Sequence, residues 1–514
     1  MIISTNWLKE YVDFADHDVT SLIKRFTLST AEVEEIFYKG SEVSGVIVAQ
    51  IKTVEPHPNS KKLHLLTVDT GSKICNVVCG APNVEVGQRV AFAPEGASVV
   101  GMKITKAKVA GVDSEGMCCG EDELGISDDH TGLMTIDVDC PLGTDIKTIY
   151  DIDDIIFEVD NKSLTNRPDL WGHYGIAREF AVLAGTKLKS LPLTEPKYTG
   201  SEKINLKINR GDIAFRYSCC SFKNISRNVS PTNWRIRLYY CGMRAINLLV
   251  DMTNLIMLEI GQPTHAFDGT EIKSITVDTP KQNLKFKTLD GIERNIDTDT
   301  LLIYTNDKPS AIAGIMGGAE SEIESYSDSV VLESANFDGV SIRKSSVRLG
   351  HRTDASVRYE KMLDPELTLV AIYRFWNMLQ SVDAGAEVAS LISDEYPKKY
   401  ETIKIDITKQ YVDRYTGIDI SSDIIYKTLT SLGFDTKREG DKFNVTVPSW
   451  RATKDISLKA DLVEEVSRIY GYDNFAVTST RSLLKPEKSL PCREEDNRIK
   501  DLLIHRYNMH EVHS

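Results

Sequence analysis

The chain has 514 residues, 61 Lys/Arg against 75 Asp/Glu, a formal charge of −14 and 41% hydrophobic residues. That length holds three or four domains with ample cores, and no apolar run approaches the roughly 18–20 residues that span a bilayer. Nine scattered cysteines, an odd number with no CxxC pair, exclude a disulfide framework and a cysteine zinc site and point to a reducing cytoplasm.

The opening, MIISTNWLKEYVDF, has no basic leader before an apolar region, so no signal peptide is expected. Trp7, Leu8, Tyr11 and Val12 recur at helical spacing, and SLIKRFTLSTAEVEEI continues an amphipathic pattern. Residues 41–150 break into short alternating runs with frequent glycine, which predicts a small β-barrel. Charge is uneven here. Residues 45–111 carry eight Lys/Arg and four Asp/Glu, whereas 112–160 carry one Lys and fifteen Asp/Glu. The basic segment can therefore face phosphates although the whole chain is acidic. Lys61, Lys62, Lys103, Lys106 and Lys108 are the candidate phosphate contacts. Phe92 is the one aromatic between 45 and 111, so binding there is expected to be electrostatic and salt-sensitive. A barrel used only for packing is the alternative.

In residues 151–200, Asn166-Arg167-Pro168-Asp169 makes a turn and His173 to Gly185 reads as a helix with a glycine stop. Arg167, Asp169, Arg178 and Glu179 are read as a structural ion-pair network. Residues 205–390 alternate strands with helices, the latter expected over Asn233 to Leu249 and Leu367 to Val382. Within them, 245–268 (AINLLVDMTNLIMLEIGQPTHAFD) sets the polar knot Asp251-Met252-Thr253-Asn254 between apolar residues. A turn at Gly261 and Pro263 then presents His265. Such a stretch is either a ligand pocket with a few polar groups on apolar walls or a buried helix with a satisfied histidine. Residues 311–318 (AIAGIMGG) let backbone approach closely. In 331–365, Glu333 lies inside an apolar run, where a carboxylate is costly without a partner or a task. Thr353-Asp354-Ala355-Ser356 follows, between Arg352 and Arg358.

Residues 391–400 are polar and linker-like, and 401–475 hold a helix over Asp423 to Leu432 and a strand in FNVTVPSW. On the helix after them, Asp461, Glu464 and Glu465 fall at spacings that share a face, with Asp455 approaching from its start. Four carboxylates so close either hold a hard cation or line an exposed acidic helix. Residues 476–492 read as a linker, and REEDNRIKDLLIHRY begins a last helix.

The stretches 245–268, 311–318 and 331–365 together resemble the editing module of the bacterial phenylalanine–tRNA ligase beta subunit. Glu55-Pro56-His57-Pro58-Asn59 with Lys61, Lys62 and Leu63, then Gly80-Ala81-Pro82-Asn83 and Ser114-Glu115-Gly116-Met117-Cys118, is similar to the OB-fold tRNA-binding domain of that ligase. DLVEEVSRIYGY at 461–472 is similar to its next small module. The resemblance covers nearly the whole chain in the family's domain order. It implies a multidomain α+β protein. An N-terminal module of 1–40 plus 151–200 holds the inserted OB-fold barrel of 41–150. An α/β mixed editing domain of 205–390 and a small helix-turn-helix-like α/β domain of 401–475 follow. Residues 476–514 are then a linker and the start of a catalytic-like module, whose remainder and the anticodon-binding domain are expected to be absent.

The resemblance also implies function. The chain is expected to be a subunit of a class II aminoacyl-tRNA synthetase, working in the cytoplasm in a tetramer of two alpha and two beta subunits. The alpha subunit performs ATP-dependent aminoacylation, and this chain binds tRNA and hydrolyses mischarged tyrosyl-tRNA by direct water attack. Phenylalanine and tyrosine differ by one hydroxyl, which an apolar pocket rejects weakly, so a second site that demands the hydroxyl is useful. The resemblance gives Glu333 the tyrosine hydroxyl and His265 the terminal ribose or a proton transfer. Thr253 and Asn254 take the amino acid's polar end, Thr353 and Ala355 the wall, and Gly314 with Gly317 and Gly318 the backbone contacts. Asp455, Asp461, Glu464 and Glu465 are implied to hold Mg2+ shared with alpha. Lys361-Met362 stands where the family usually has Arg-Gly, which bears on the turn that follows Glu360. A free-standing trans-editing factor and a noncatalytic tRNA-binding scaffold are the other two readings.

Overall fold

A computed structural model describes residues 1–513 except 270, 322, 324–326, 478, 480–482, 486 and 487. It divides into two compact units, Met1–Tyr472 and Asp473–Ser514. Within the second, the helix Pro491–Tyr507 starts on a proline and stops at Asn508, which takes a left-handed conformation. No described helix is long and apolar enough to cross a membrane.

The first unit opens with an antiparallel sheet in the order Ile2–Ser4, Asp154–Val159, Val33–Lys39, so the two segments flanking the barrel share strands. Helices Thr5–Tyr11 and Val19–Ser29, capped by the side chains of Ser4 and Asp18, pack with His173–Ala184. Trp7, Phe26, Phe157 and Phe180 are fully buried between them.

The barrel is a five-stranded antiparallel sheet in the order Gly116–Cys118, Arg89–Pro94, Ile47–Pro56, His64–Asp69, Ile74–Cys79. Its ends meet where the Glu115 N–H donates to Asn76 O at 2.9 Å and the Val78 N–H donates to Ser114 Oγ at 3.1 Å. Ile51, Val68, Val77 and Phe92 fill it.

Two sheets build the central region. One runs Asn205–Ile208, Ser274–Asp278, Leu302–Thr305, Lys308–Ile312, Met316–Gly317. The other runs Thr264–Asp268, Val330–Phe337, Ala214–Lys223, Glu387–Val388, with Ser393–Glu395 also paired to Ala214–Lys223. One face of the second sheet (Cys220, Phe222, Ala266, Leu332) packs in a common core with helices Leu248–Ile260 and Leu367–Val382. Its other face (Tyr217, Cys219, Phe267, Val331, Ala335) packs on Ile275, Val277 and Ile312 of the first sheet. Both faces are covered, so every residue of Val330–Phe337 is buried, the polar Glu333, Ser334 and Asn336 included. The helix expected over 233–249 is in fact two, Thr232–Tyr240 and Leu248–Ile260. Gly242 at φ 81 turns the chain between them, and the Asn247 side chain caps the second by accepting from the Val250 N–H.

Residues 401–472 form a three-stranded sheet in the order Lys404–Thr408, Lys442–Thr446, Asp435–Glu439. Helices Lys409–Thr416, Ser422–Ser431 and Lys459–Tyr470 pack around the core of Ile405, Leu429, Phe443 and Val466.

Candidate functional site

His265 reaches its position through a helix stop. Leu248–Ile260 ends at Gly261, left-handed at φ 77, whose N–H donates to Met257 O at 3.0 Å. The chain then enters Thr264–Asp268, antiparallel to Val330–Phe337 with His265 directly opposite Glu333. Opposite residues of an antiparallel pair project from one face with Cβ atoms about 4.5–5.5 Å apart. On the far side Cys219 faces Glu333 and Tyr217 faces Ala335. Tyr217 thus lies diagonal to Glu333, and its hydroxyl donates to Glu333 Oε2 at 2.9 Å. Between the two sheets this face lines a half-open cavity of about 70 Å³ whose lining includes His265, Glu333, Gly314, Gly317, Ala355 and Tyr359.

Burial dominates the electrostatics. Glu333 is 4% exposed and pairs with no cation among the described residues. Burial pushes its carboxyl up to about 8, with the Tyr217 hydrogen bond pulling the other way. At neutral pH the group is therefore mostly a carboxylic acid, where the sequence suggested an ionised carboxylate. Burial also pushes His265 down to about 4. Its ring is neutral at pH 7, and Nε2 is buried with no protein partner. A base that weak transfers protons poorly, but a neutral ring nitrogen positions a hydroxyl or a water well.

The glycines are sized to this arrangement. A Cβ on Gly317 would stand 2.6 Å from His265 Cε1 and 2.8 Å from Nε2. Gly314 takes φ 65, and a Cβ there would stand 2.9 Å from Tyr359 Cδ2. Thr353 caps the helix Asp354–Tyr359, and its hydroxyl donates to Ile315 O at 2.9 Å, tying that cap to the cavity rim. The structure thus brings His265, Glu333, Gly314 and Ala355 to one cavity with Thr353 behind its wall.

Thr253 and Asn254 do not join them. They lie inside Leu248–Ile260, about two turns or ~10 Å before its end at 1.5 Å per residue. The Thr253 hydroxyl is turned onto Val250 O at 2.7 Å, so the polar knot belongs to the helix interior. Sequence reasoning missed Tyr217, Tyr359 and Gln262. Tyr359 donates to Pro263 O at 3.2 Å, and Gln262 Nε2 donates to Ala335 O at 2.8 Å. A buried tyrosine hydroxyl needs a partner, and Tyr217 amid an apolar strand was the available signal.

Three family models match the chain: a putative tRNA binding domain over residues 46–145, a B3/4 domain over 214–384 and a tRNA synthetase B5 domain over 405–472. The phenylalanine–tRNA ligase beta subunit of Clostridium acetobutylicum is 39% identical over 491 residues, covering 94% of this chain and 61% of that protein. That of Clostridium tetani is 39% identical over 518 residues, covering 98% and 64%. That of Bacillus subtilis is 37% identical over 492 residues, covering 93% and 60%. The chain belongs to the phenylalanine–tRNA ligase beta-subunit family. It spans 60% to 64% of the length of these three relatives.

In this member of the family all five candidate barrel lysines are exposed. Asn59 Nδ2 donates to Ala110 O at 3.0 Å, which sets the loop of Lys61 and Lys62 beside the hairpin bearing Lys108. Lys106 stands 3.8 Å from Glu115 and 4.0 Å from Glu95, so part of its charge is already met. Lys103 is in the Met102–Lys103 strand of another hairpin.

The four acidic residues read as a Mg2+ site do not gather. Asp455 and Glu465 are buried against Arg451, and Glu465 also accepts from Arg468 Nη2 at 2.6 Å. Asp461 accepts the Ser457 and Leu458 N–H groups at 2.7 Å at the helix start. Glu464 is exposed. No cluster of three or more His, Cys, Asp or Glu suited to a metal occurs among the described residues. The shared face expected from spacing fails because Glu465 turns inward to Arg468, one turn on along the same helix, and to Arg451, which precedes the helix start. Those arginines extend the ion-pair network expected of Arg167, Asp169, Arg178 and Glu179, which is larger than the sequence suggested. Arg167 contacts Asp169, Glu179 and Asp455, while Arg468 joins Glu179 to Glu465.

Proposed function

We propose that this chain acts as the beta subunit of a phenylalanine–tRNA ligase, binding tRNA through its barrel and hydrolysing tyrosyl-tRNA at the His265–Glu333 cavity. One observation carries the editing part: a buried acid with no cation among the described residues stands opposite a neutral histidine at a half-open cavity between two sheets. One oxygen of Glu333 takes the Tyr217 hydroxyl. The other is available to a substrate phenol, either as acceptor or, when protonated, as donor. Phenylalanine leaves it without that bond, and a site built around such a bond discriminates by about 10⁴–10⁵. His265 Nε2 orients a ribose hydroxyl or the attacking water, which attacks the ester carbon; the bond to the ribose oxygen breaks, and tyrosine and free tRNA leave.

Charging itself is assigned to an alpha partner with ATP, in a class II heterotetramer of two alpha and two beta subunits in the cytoplasm. The carboxylates of this chain do not by themselves fit a resident Mg2+, so no step is assigned to that ion here.

The scaffold reading draws on size. A cavity of about 70 Å³ is roughly half the ~150 Å³ that accommodates benzene in an engineered core, so a tyrosyl ring requires the walls to open. Deacylation assays with tyrosyl-tRNA and phenylalanyl-tRNA decide. The editing reading expects fast release of tyrosine only, and loss of at least a hundredfold in Glu333→Ala with the fold retained. Equal, slow rates on both substrates, untouched by that substitution, would leave only the scaffold.

A further inference from the structure

Glu360 and Lys361 follow the helix Asp354–Tyr359, and beside them lie two open clefts of about 550 and 600 Å³. Arg343, Val347 and Glu360 wall both. Arg352 and Lys361 also line the first, and Lys344, Arg348 and Lys454 the second. Arg343 and Lys454 are exposed and have no carboxylate partner among the described residues. Glu360, the one acidic residue in either lining, accepts from Arg352 at 3.1 Å. Lys361 lies over the Trp171 ring at 5.2 Å from its centroid. Burial lowers its ammonium from the ordinary range; Glu360 opposes this, while Arg352, Lys454 and Arg343 add to it, as expected where cations crowd.

We infer that Arg343, Arg352, Lys361 and Lys454 form a binding surface for the phosphodiester backbone of a single-stranded RNA end, delivering its terminal sugar to the His265–Glu333 cavity. The inference rests on the editing reading for its destination, and on charge for the surface itself. Six Lys/Arg around one acid in the two linings, with Arg348 alone among the described residues already paired to Asp297 besides the Arg352–Glu360 pair, mark a local positive field in a chain of net charge −14 that favours a polyanion. The path is short. Arg352 precedes the cap residue Thr353, Lys361 lies just past the far end of the same helix, and Ala355 and Tyr359 between them line the cavity. That helix of six residues is about 9 Å long at 1.5 Å per residue. Phosphate contacts of this kind fix register and orientation without reading sequence.

The test uses the whole chain and a short fluorescein-labelled single-stranded RNA with a photoreactive 3′ nucleotide. In the double variant Arg343→Ala with Lys454→Ala, both on exposed side chains, affinity should fall about tenfold. The slope of log affinity against log salt should drop by about 1.4, for two phosphates at ~0.7 each on single strands. Cross-links from the 3′ nucleotide should map to the cavity lining, around His265, Gly314 to Gly317 and Ala355 to Tyr359. Unchanged affinity and slope, with cross-links confined to the barrel, would overturn the inference. So would competition by polyglutamate that is equally sensitive to the two substitutions, which would assign an acidic protein instead. If no form hydrolyses tyrosyl-tRNA yet the RNA effects appear, the editing reading falls and the surface stands. If hydrolysis is present and KM is the same in the double variant, the surface falls alone.

Discussion

At the scale of single residues, Glu333 carries a measurable signature. Its carboxyl is raised from 4.5 to about 8 in the folded chain. The folded state therefore holds a proton that the unfolded chain releases. The stability this confers is full below about pH 4.5 and is lost as pH rises through 8. Glu333→Gln, neutral and nearly isosteric, removes that loss, so the variant should gain on the parent in urea unfolding as pH goes from 6 to 9. A constant difference across that range would mean the acid is already ionised or solvated. Tyr217→Phe should push the carboxyl higher still, because the lost hydrogen bond favours the charged form; an NMR titration of labelled glutamate reads it.

Met362 is a second residue-scale case. It sits at φ 63, where glycine is the favoured residue. Left-handed backbone costs a residue with a side chain ~1–2 kcal/mol, partly offset by the ~0.5–1 kcal/mol entropic cost of glycine. Met362→Gly should thus stabilise by about 0.5–1 kcal/mol in denaturant unfolding. The turn that the sequence put in doubt forms nevertheless, with strain in place of glycine.

At the scale of elements, the Met316–Gly317 strand sets the imidazole by leaving out a side chain. Gly317→Ala places a methyl inside contact distance of His265. Overpacking of this kind costs ~1–3 kcal/mol, which a chain of this size tolerates. Tyrosyl-tRNA hydrolysis should fall by at least tenfold while circular dichroism is unchanged. Full activity in that variant would show that the ring position does not matter. Elements also show how far sequence reading reaches. Leu367–Val382 follows from its own periodicity, since a long amphipathic run needs no partner to identify it. The helix expected over 233–249 failed because Gly242 and Asn247 are short-range stop and start signals inside an otherwise continuous pattern. Thr253 was misjudged for a related reason: a polar residue on a helix can satisfy itself on the preceding turn.

At the scale of the molecule, the buried network of Arg167, Arg451 and Arg468 with Glu179, Asp455 and Glu465 ties residues 151–200 to 451–472 within the first unit. Burial raises Glu179, but Arg468 and Arg167 overcome it and hold it at about 2. Glu465 is likewise held well below its ordinary 4.5 by Arg468 and Arg451 against its burial. These shifts stabilise the fold above the ordinary carboxylate range, and the stabilisation is lost as pH falls through the depressed values. Arg468→Met strips Glu179 and Glu465 of a shared partner and should cost about 3–5 kcal/mol. Unfolding should then start at higher pH during acid titration, followed by fluorescence. An unaltered acid transition would show that the network is not what holds these segments together.

The sequence by itself determined the family, the order of its segments, the barrel's local charge and the two residues His265 and Glu333, because each is written in neighbouring residues or in a costly exception to an apolar run. Only the tertiary structure decided that Tyr217 meets Glu333, that Asp455 and Glu465 serve arginines rather than a metal, and that six cations line the clefts beside Glu360. Those outcomes depend on strand register and on which side chains folding brings together, from 3 residues apart for Arg468 and Glu465 to 289 for Arg468 and Glu179, and no local pattern encodes which of them a buried charge will find.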